Sequence, residues 1–190
     1  DSTNIITPEI SVITNIGLDH TQFLGNTLEK VAVEKAGIAK GGIPVVIGET
    51  LPETKGVFEQ IASERNAPIT FAETFDSFGY TSDLKGIYQK KNIKTVLATL
   101  RILQKKGWDI SDENIKTGLL NTIKNTGLMG RWQVLRESPK VLCDTAHNKD
   151  GLQLVMKQLA TENYEKLHIV LGVVNDKDLG SVLPLFPKNA

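Results

Sequence analysis

Residues 10–17 read Ile10-Ser11-Val12-Ile13-Thr14-Asn15-Ile16-Gly17, a β-branched run closed by a glycine. That composition predicts a strand over 10–16 that stops at Gly17. The next stretch predicts a helix: Asn26 with Glu29 three residues on has the form of a capping box, Leu28, Val31 and Ala32 make an apolar stripe, and Gly37 ends it. Ile43-Pro44-Val45-Val46-Ile47 then reads as a short buried strand, with Pro44 near its start where a missing N–H is tolerated. A helix over 53–64 and a strand over 69–71 continue the alternation, which is the signature of a parallel α/β sheet.

Outward from this repeat, residues 75–85 show no clean period and read as a loop or short hairpin. From Asn92 to Gly107 the residues Ile93, Val96, Leu97, Leu100 and Leu103 recur at helical spacing, and Ser111 opens a second helix carrying Ile115, Leu119 and Ile123. The two are expected to pack as an α-hairpin on the sheet. Asn125-Thr126-Gly127-Leu128-Met129-Gly130 has the composition of a linker or hinge. Beyond it the α/β alternation is expected to restart, with Val134 and Leu135, a strand Val141–Cys143, a helix bearing Leu152, Val155, Met156 and Leu159, and a strand over His168–Val174. The expected organisation is therefore two units, residues 1–126 and 127–190. The second is shorter than the roughly 100 residues usual for a doubly wound domain.

The bulk composition excludes several classes of protein. Lys plus Arg total 22 and Asp plus Glu total 22, so no net field favours nucleic acid or an anionic membrane surface. With 40% hydrophobic residues in 190, the chain can bury a core, and no apolar run approaches the roughly 20 residues that span a bilayer. The single cysteine, Cys143, cannot form an internal disulfide, which suits a reducing, cytoplasmic setting. The opening Asp1-Ser2-Thr3-Asn4 lacks a methionine and is too polar to begin a signal peptide, so the reading is of a chain that starts in mid-protein.

Three features could carry chemistry. Asp19 and His20 follow the predicted strand end, the edge where open α/β sheets place ligands, although an isolated Asp-His pair reads first as a structural hydrogen bond. Lys35 lies on the stripe of Leu28, Val31 and Ala32. It either snorkels towards the helix end or is a desolvated amine able to capture carbon dioxide as a carbamate, an oxygen ligand for a hard cation. Asp144 and His147 lie just past the predicted strand Val141–Cys143, again at a ligand edge, although Asp144 taken alone reads as a helix N-cap.

Asp19-His20-Thr21-Gln22-Phe23-Leu24-Gly25 followed by Glu34-Lys35-Ala36-Gly37-Ile38 resembles the folylpolyglutamate synthase and dihydrofolate synthase family of the Mur ligase superfamily. By that resemblance His20 binds a magnesium ion, and Lys35 is carbamylated and approaches the same metal. Gly86-Ile87-Tyr88-Gln89-Lys90-Lys91-Asn92 is similar to the family's Gln-x-x-Asn element, whose asparagine reaches the ATP adenine; taken alone, Asn92 reads as the N-cap of the helix it opens. Gly130-Arg131-Trp132-Gln133 resembles a Gly-Arg segment that contacts ATP phosphates, a role that suits a guanidinium fork, although Arg131 alone reads as a surface linker charge. Asp144-Thr145-Ala146-His147-Asn148 resembles an Asp-x-Ala-His-Asn motif, which implies that Asp144 holds the nucleotide and that His147 lies near the phosphates or the incoming glutamate. Asn175-Asp176-Lys177-Asp178 is similar to a family segment to which no role is attached here.

The fold so implied is the latter part of a P-loop-type parallel-sheet ATPase domain, followed by the start of a Rossmann-like domain. The implied activity is ATP-dependent joining of L-glutamate to a folate or dihydropteroate carboxylate through an acyl phosphate, with ATP and Mg2+, by a monomer. The chain contains no Gly-x-x-x-x-Gly-Lys-Ser/Thr loop, and the family's metal-binding glutamate would precede Asp1. The 190 residues alone are therefore expected to bind ATP weakly and to lack ligase activity. A cell-wall Mur ligase is the nearest alternative enzyme, and a nucleotide-binding module without catalysis is the alternative from another class.

Overall fold

A computed structural model describes residues 5–18, 24–173, 179–188 and 190, without the side chain of Ser181. Three strands, β1 (Ser11–Ile13), β2 (Val45–Ile47) and β3 (Ile69–Phe71), form a parallel sheet in that order, with Ile13 paired to Ile47 and Ile47 to Phe71. The crossovers are α1 (Leu28–Ala36) and α2 (Pro52–Glu64). The α/β class with a parallel sheet is thus as the alternation predicted.

Alternation along β2 explains the layers, because successive side chains point to opposite faces. Val45 and Ile47 share a core with Val31, Ala32 and Ala36 of α1 and Phe58 and Ala62 of α2. Val46 points the other way, into a cluster with Ala72 and Ala98. Ala98 belongs to α3 (Gln89–Lys105), so helices cover both faces of the central strand. That arrangement accounts for the uninterrupted apolar Val-Val-Ile. The helix α4 (Asp112–Leu120) packs on α3 through Ile93, Leu97 and Ile115.

Several expectations need correction. The cap of α1 is Thr27, whose hydroxyl accepts from the Lys30 amide, so the pairing of Asn26 with Glu29 is one residue out of register. Helix α3 begins at Gln89, with Tyr88 at the cap position, and Asn92 lies inside its first turn. The polar Gln89-Lys90-Lys91 are good helix formers that extend the helix ahead of its apolar stripe. Ile123 sits on a separate short helix, α5 (Thr122–Thr126), which uses up the start of the expected linker and ends on Gly127 at φ 66°. Lys35 is exposed. It is in line with the stripe by angle, but its side chain borders an open cleft rather than the core that Ala36 joins.

Beyond Gly130 the parallel alternation does not resume at once. β4 (Gln133–Glu137) and β5 (Lys140–Cys143) pair antiparallel, with a bulge between Val134 and Arg136. Only Ser138 and Pro139 separate them, and so short a connection permits no parallel crossover. The helix α6 (Lys149–Leu159) follows, then α7 (Leu179–Val182) and a 3₁₀ turn, Leu183–Leu185. The strand expected over 168–174 is absent from its described part, residues 168–173. Val170 is fully exposed, and a β-branched run needs a neighbouring strand to become one.

Candidate nucleotide cleft

A cleft of about 880 Å3 lies at the carboxyl ends of β1, β2 and β5. Thr14, Asn15 and Gly17 enter it from just past β1, Glu49 from past β2, and the run Asp144 to Asn148 from past β5. Lys35 overhangs it from α1, while Tyr88, Lys91 and Asn92 line it from the start of α3. The described candidates Lys35, Asn92, Arg131, Asp144 and His147 therefore share one cavity. His20, like Asp176, Lys177 and Asp178, lies outside the described residues.

The part contributed by residues 130–148 is knitted together by Asp144 and Thr145. Asp144 Oδ1 accepts from the Ala146 amide at 2.9 Å, and Oδ2 accepts from the Trp132 amide at 2.7 Å. The Thr145 amide donates to the Gly130 carbonyl at 3.0 Å, and the Thr145 hydroxyl donates to the same oxygen at 3.1 Å. Such an approach requires a glycine: Gly130 has φ 70°, and a Cβ there would sit 2.4 Å from Thr145 Cγ2. Arg131 Nη1 donates to the Gly130 carbonyl at 3.1 Å and also to the Thr145 hydroxyl. The exposed guanidinium is thus tethered at the rim with donors to spare.

The cap of α6 is Asn148, whose side chain accepts from the Gly151 amide at 2.8 Å, so Asp144 does not serve as a helix cap. His147 Nδ1 lies 3.1 Å from the Thr145 carbonyl. On the opposite wall, Asn92 Nδ2 donates to Gln89 Oε1 at 2.9 Å. That leaves the Asn92 carbonyl oxygen and a second N–H for a ligand.

Four lining features went unread in the sequence. Tyr88 donates its hydroxyl to Asp144 Oδ2 at 2.8 Å. Burial first, and then this acceptor, push the phenol well above its usual pKa, so it remains a donor. Lys91 pairs with Glu49 at 2.7 Å. Asp150 comes so near Gly17 that a Cβ there would meet Asp150 Oδ2 at 2.4 Å. Thr14 and Asn15 add a hydroxyl and an amide at the end of β1. The strand-end rule that selected His20 and Asp144 also covers Glu49, Thr14 and Asn15, and could have found them.

The cleft has the volume and the mix of amide, guanidinium and carboxylate that a nucleotide requires. A metal is a different matter: among the described residues no group of three or more His, Cys, Asp or Glu side chains could hold one. Among the described residues, too, no helix is long and apolar enough to cross a membrane.

Residues 130–190 match the family described as Mur ligase, glutamate ligase domain. The chain is 32% identical over 203 residues to the dihydrofolate synthase/folylpolyglutamate synthase of Bacillus subtilis, a match that covers 93% of this chain and 46% of that protein. It superposes with TM-score 0.82 on E. coli FolC in complex with DHPP and ADP, at 29% identity, covering 97% of this chain and 46% of that one. It superposes with TM-score 0.80 on a bifunctional folylpolyglutamate synthase/dihydrofolate synthase with Mn, AMPPNP and L-glutamate bound, at 30% identity, covering 97% of this chain and 46% of the other. The chain spans about half the length of the curated relatives it matches. In both motifs and backbone the chain is thus similar to about half of a folylpolyglutamate synthase or dihydrofolate synthase, and its residues 130–190 match the Mur ligase glutamate ligase domain.

Proposed function

We propose that the protein carrying this chain is an ATP-dependent ligase that joins L-glutamate to a folate or dihydropteroate carboxylate, with residues 1–126 and 127–190 belonging to two domains that flank the nucleotide. The observation that carries the reading is that Lys35, Asn92, Arg131, Asp144 and His147, from separate stretches of chain, line one cleft. The ligands of the solved relatives, ADP with DHPP and AMPPNP with Mn and L-glutamate, support it.

In this reading the γ-phosphoryl group of ATP passes to a carboxylate oxygen, giving an acyl phosphate and ADP. The glutamate amine then attacks the acyl carbon, an amide forms, and phosphate leaves. Asn92 addresses the adenine, Asp144 holds the nucleotide from the second domain, and His147 lies by the phosphates or the incoming amine. Arg131 balances charge that spreads over the phosphoryl oxygens in transit, which a fixed fork of donors does without reorganising. His20 and a carbamate on Lys35 are assigned to magnesium, which supplies charge neutralisation of the phosphates. The enzyme is assigned to the cytoplasm as a monomer.

The test is release of ADP that depends on both glutamate and a pteroate or folate, measured with the protein that carries this chain. Arg131→Ala is expected to lower kcat by more than about tenfold. No such release under any of these substrates would overturn the assignment.

A further inference from the structure

Asp144 receives three hydrogen bonds, and their origins differ. Two come from backbone amides of its own neighbourhood, Ala146 and Trp132, and these suffice to fix the carboxylate within residues 130–148. The third comes from Tyr88, which stands 56 residues away at the cap position of α3. This bond does not orient the carboxylate; it ties Asp144 to another wall of the cleft. Asn92 lies four residues after Tyr88, one turn along the same helix.

A second tie reinforces the first. The Gln158 side chain of α6 accepts from the Ile87 amide at 2.7 Å and donates to the Lys85 carbonyl at 2.9 Å. One amide thus satisfies the N–H and C=O of two residues just ahead of Tyr88, as an adjacent strand would. Gly86 between them is buried, and a Cβ there would lie 2.5 Å from Tyr88 Cζ, so the ring folds back over this segment. Residues 85–88 are held from both sides, by α6 and by the turn after β5.

We propose that Tyr88 is a positioning residue, whose hydroxyl sets the spacing between Asp144 and the helix turn carrying Asn92 so that both reach one nucleotide. The role rests on the ligase reading above, since it takes those two residues as nucleotide contacts. The ring alone fills the space; the hydroxyl supplies the tie.

The test compares ADP binding by calorimetry, steady-state ligation and the thermal midpoint, in the protein that carries this chain and its variants. Tyr88→Phe is expected to raise the Kd for ADP and the KM for ATP about five- to tenfold, the scale of one net hydrogen bond. kcat should stay within about twofold and the thermal midpoint should not move, a split that a loss of folding would not produce. Gln158→Met, which keeps the length of the side chain but loses both bonds, is expected to shift Kd and KM in the same direction. In an Asp144→Ala background, Tyr88→Phe should add nothing. Unchanged ADP binding in Tyr88→Phe, or a loss undiminished in the Asp144→Ala background, overturns the positioning role and leaves the ligase reading standing. If Tyr88→Phe does not fold, a folded Gln158→Met with unchanged ADP binding overturns it. Absence of both ADP binding and ligation in the unsubstituted protein overturns the ligase reading, and the positioning role with it.

Discussion

Gly130 sits where backbone and side chain leave no alternative. Its φ of 70° lies in the left-handed region, and the space a Cβ would need is occupied by the Thr145 methyl. Gly130→Ala should therefore cost about 1–3 kcal/mol of stability, and it should displace Arg131, whose anchor is the Gly130 carbonyl. Urea unfolding reads the first effect, and a rise in KM for ATP reads the second. A Gly130→Ala protein with unaltered midpoint would show that Thr145 yields without cost. Lys35 presents the opposite case, since it is exposed and free of steric demand. Because it borders the cleft rather than the core, Lys35→Ala should leave the melting midpoint within a degree or so while lowering ligation about a hundredfold, the scale of a removed charge-stabilising group. Partial recovery with acetate or formate would point to a lost carbamate. Full activity without it would remove Lys35 from the site.

At the scale of elements, α4 offers a clean local test. The Ser111 hydroxyl accepts from the Asn114 amide, and the Asn114 side-chain oxygen accepts from the Ser111 amide, a reciprocal box with Asn in place of Glu. Ser111→Ala should cost about 1 kcal/mol in urea unfolding and leave ligand binding unchanged; no loss would mean that water replaces the cap. That cap was legible because a Ser before a periodic apolar run is a local signal, and the same holds for the parallel alternation through Val45–Ile47. Legibility failed where the deciding contact is remote or where two local signals compete. Asn26 and Thr27 are both good caps, and only the fold picks Thr27. The helical start at Gln89 was hidden because its first turn is polar. The direction of β5 depends on a two-residue connection rather than on strand composition. In the cleft, the motif residues were readable one by one, but Tyr88 announced itself only through a partner 56 residues away.

Across the whole molecule the buried apolar residues are unevenly shared. Among the described residues the three core clusters fall between Ile10 and Leu119, and they cover the central strand β2 on both faces. From residue 130 onward the buried apolar residues among those described are Trp132, Leu152, Val155 and Val182, and β4 is largely exposed and interrupted by a bulge. Opening free energy follows buried apolar contact, so the two regions should not unfold locally with equal ease. The amides of Val45–Ile47 should exchange with solvent hydrogen only through near-global unfolding. Those of Gln133–Glu137 should exchange at least about a hundredfold faster, a gap of roughly 3 kcal/mol in opening free energy. Hydrogen exchange followed by mass spectrometry on peptides from each stretch measures the ratio. On the proposed roles of Asp144 and Arg131, added ADP should then narrow it, because a ligand bound there must be released before the turns at 130–132 and 144–146 can open. Protection that is equal in β2 and β4 without ligand would show that the second region draws its stability from something other than its own core. Protection at 130–146 that ignores ADP would place the nucleotide elsewhere.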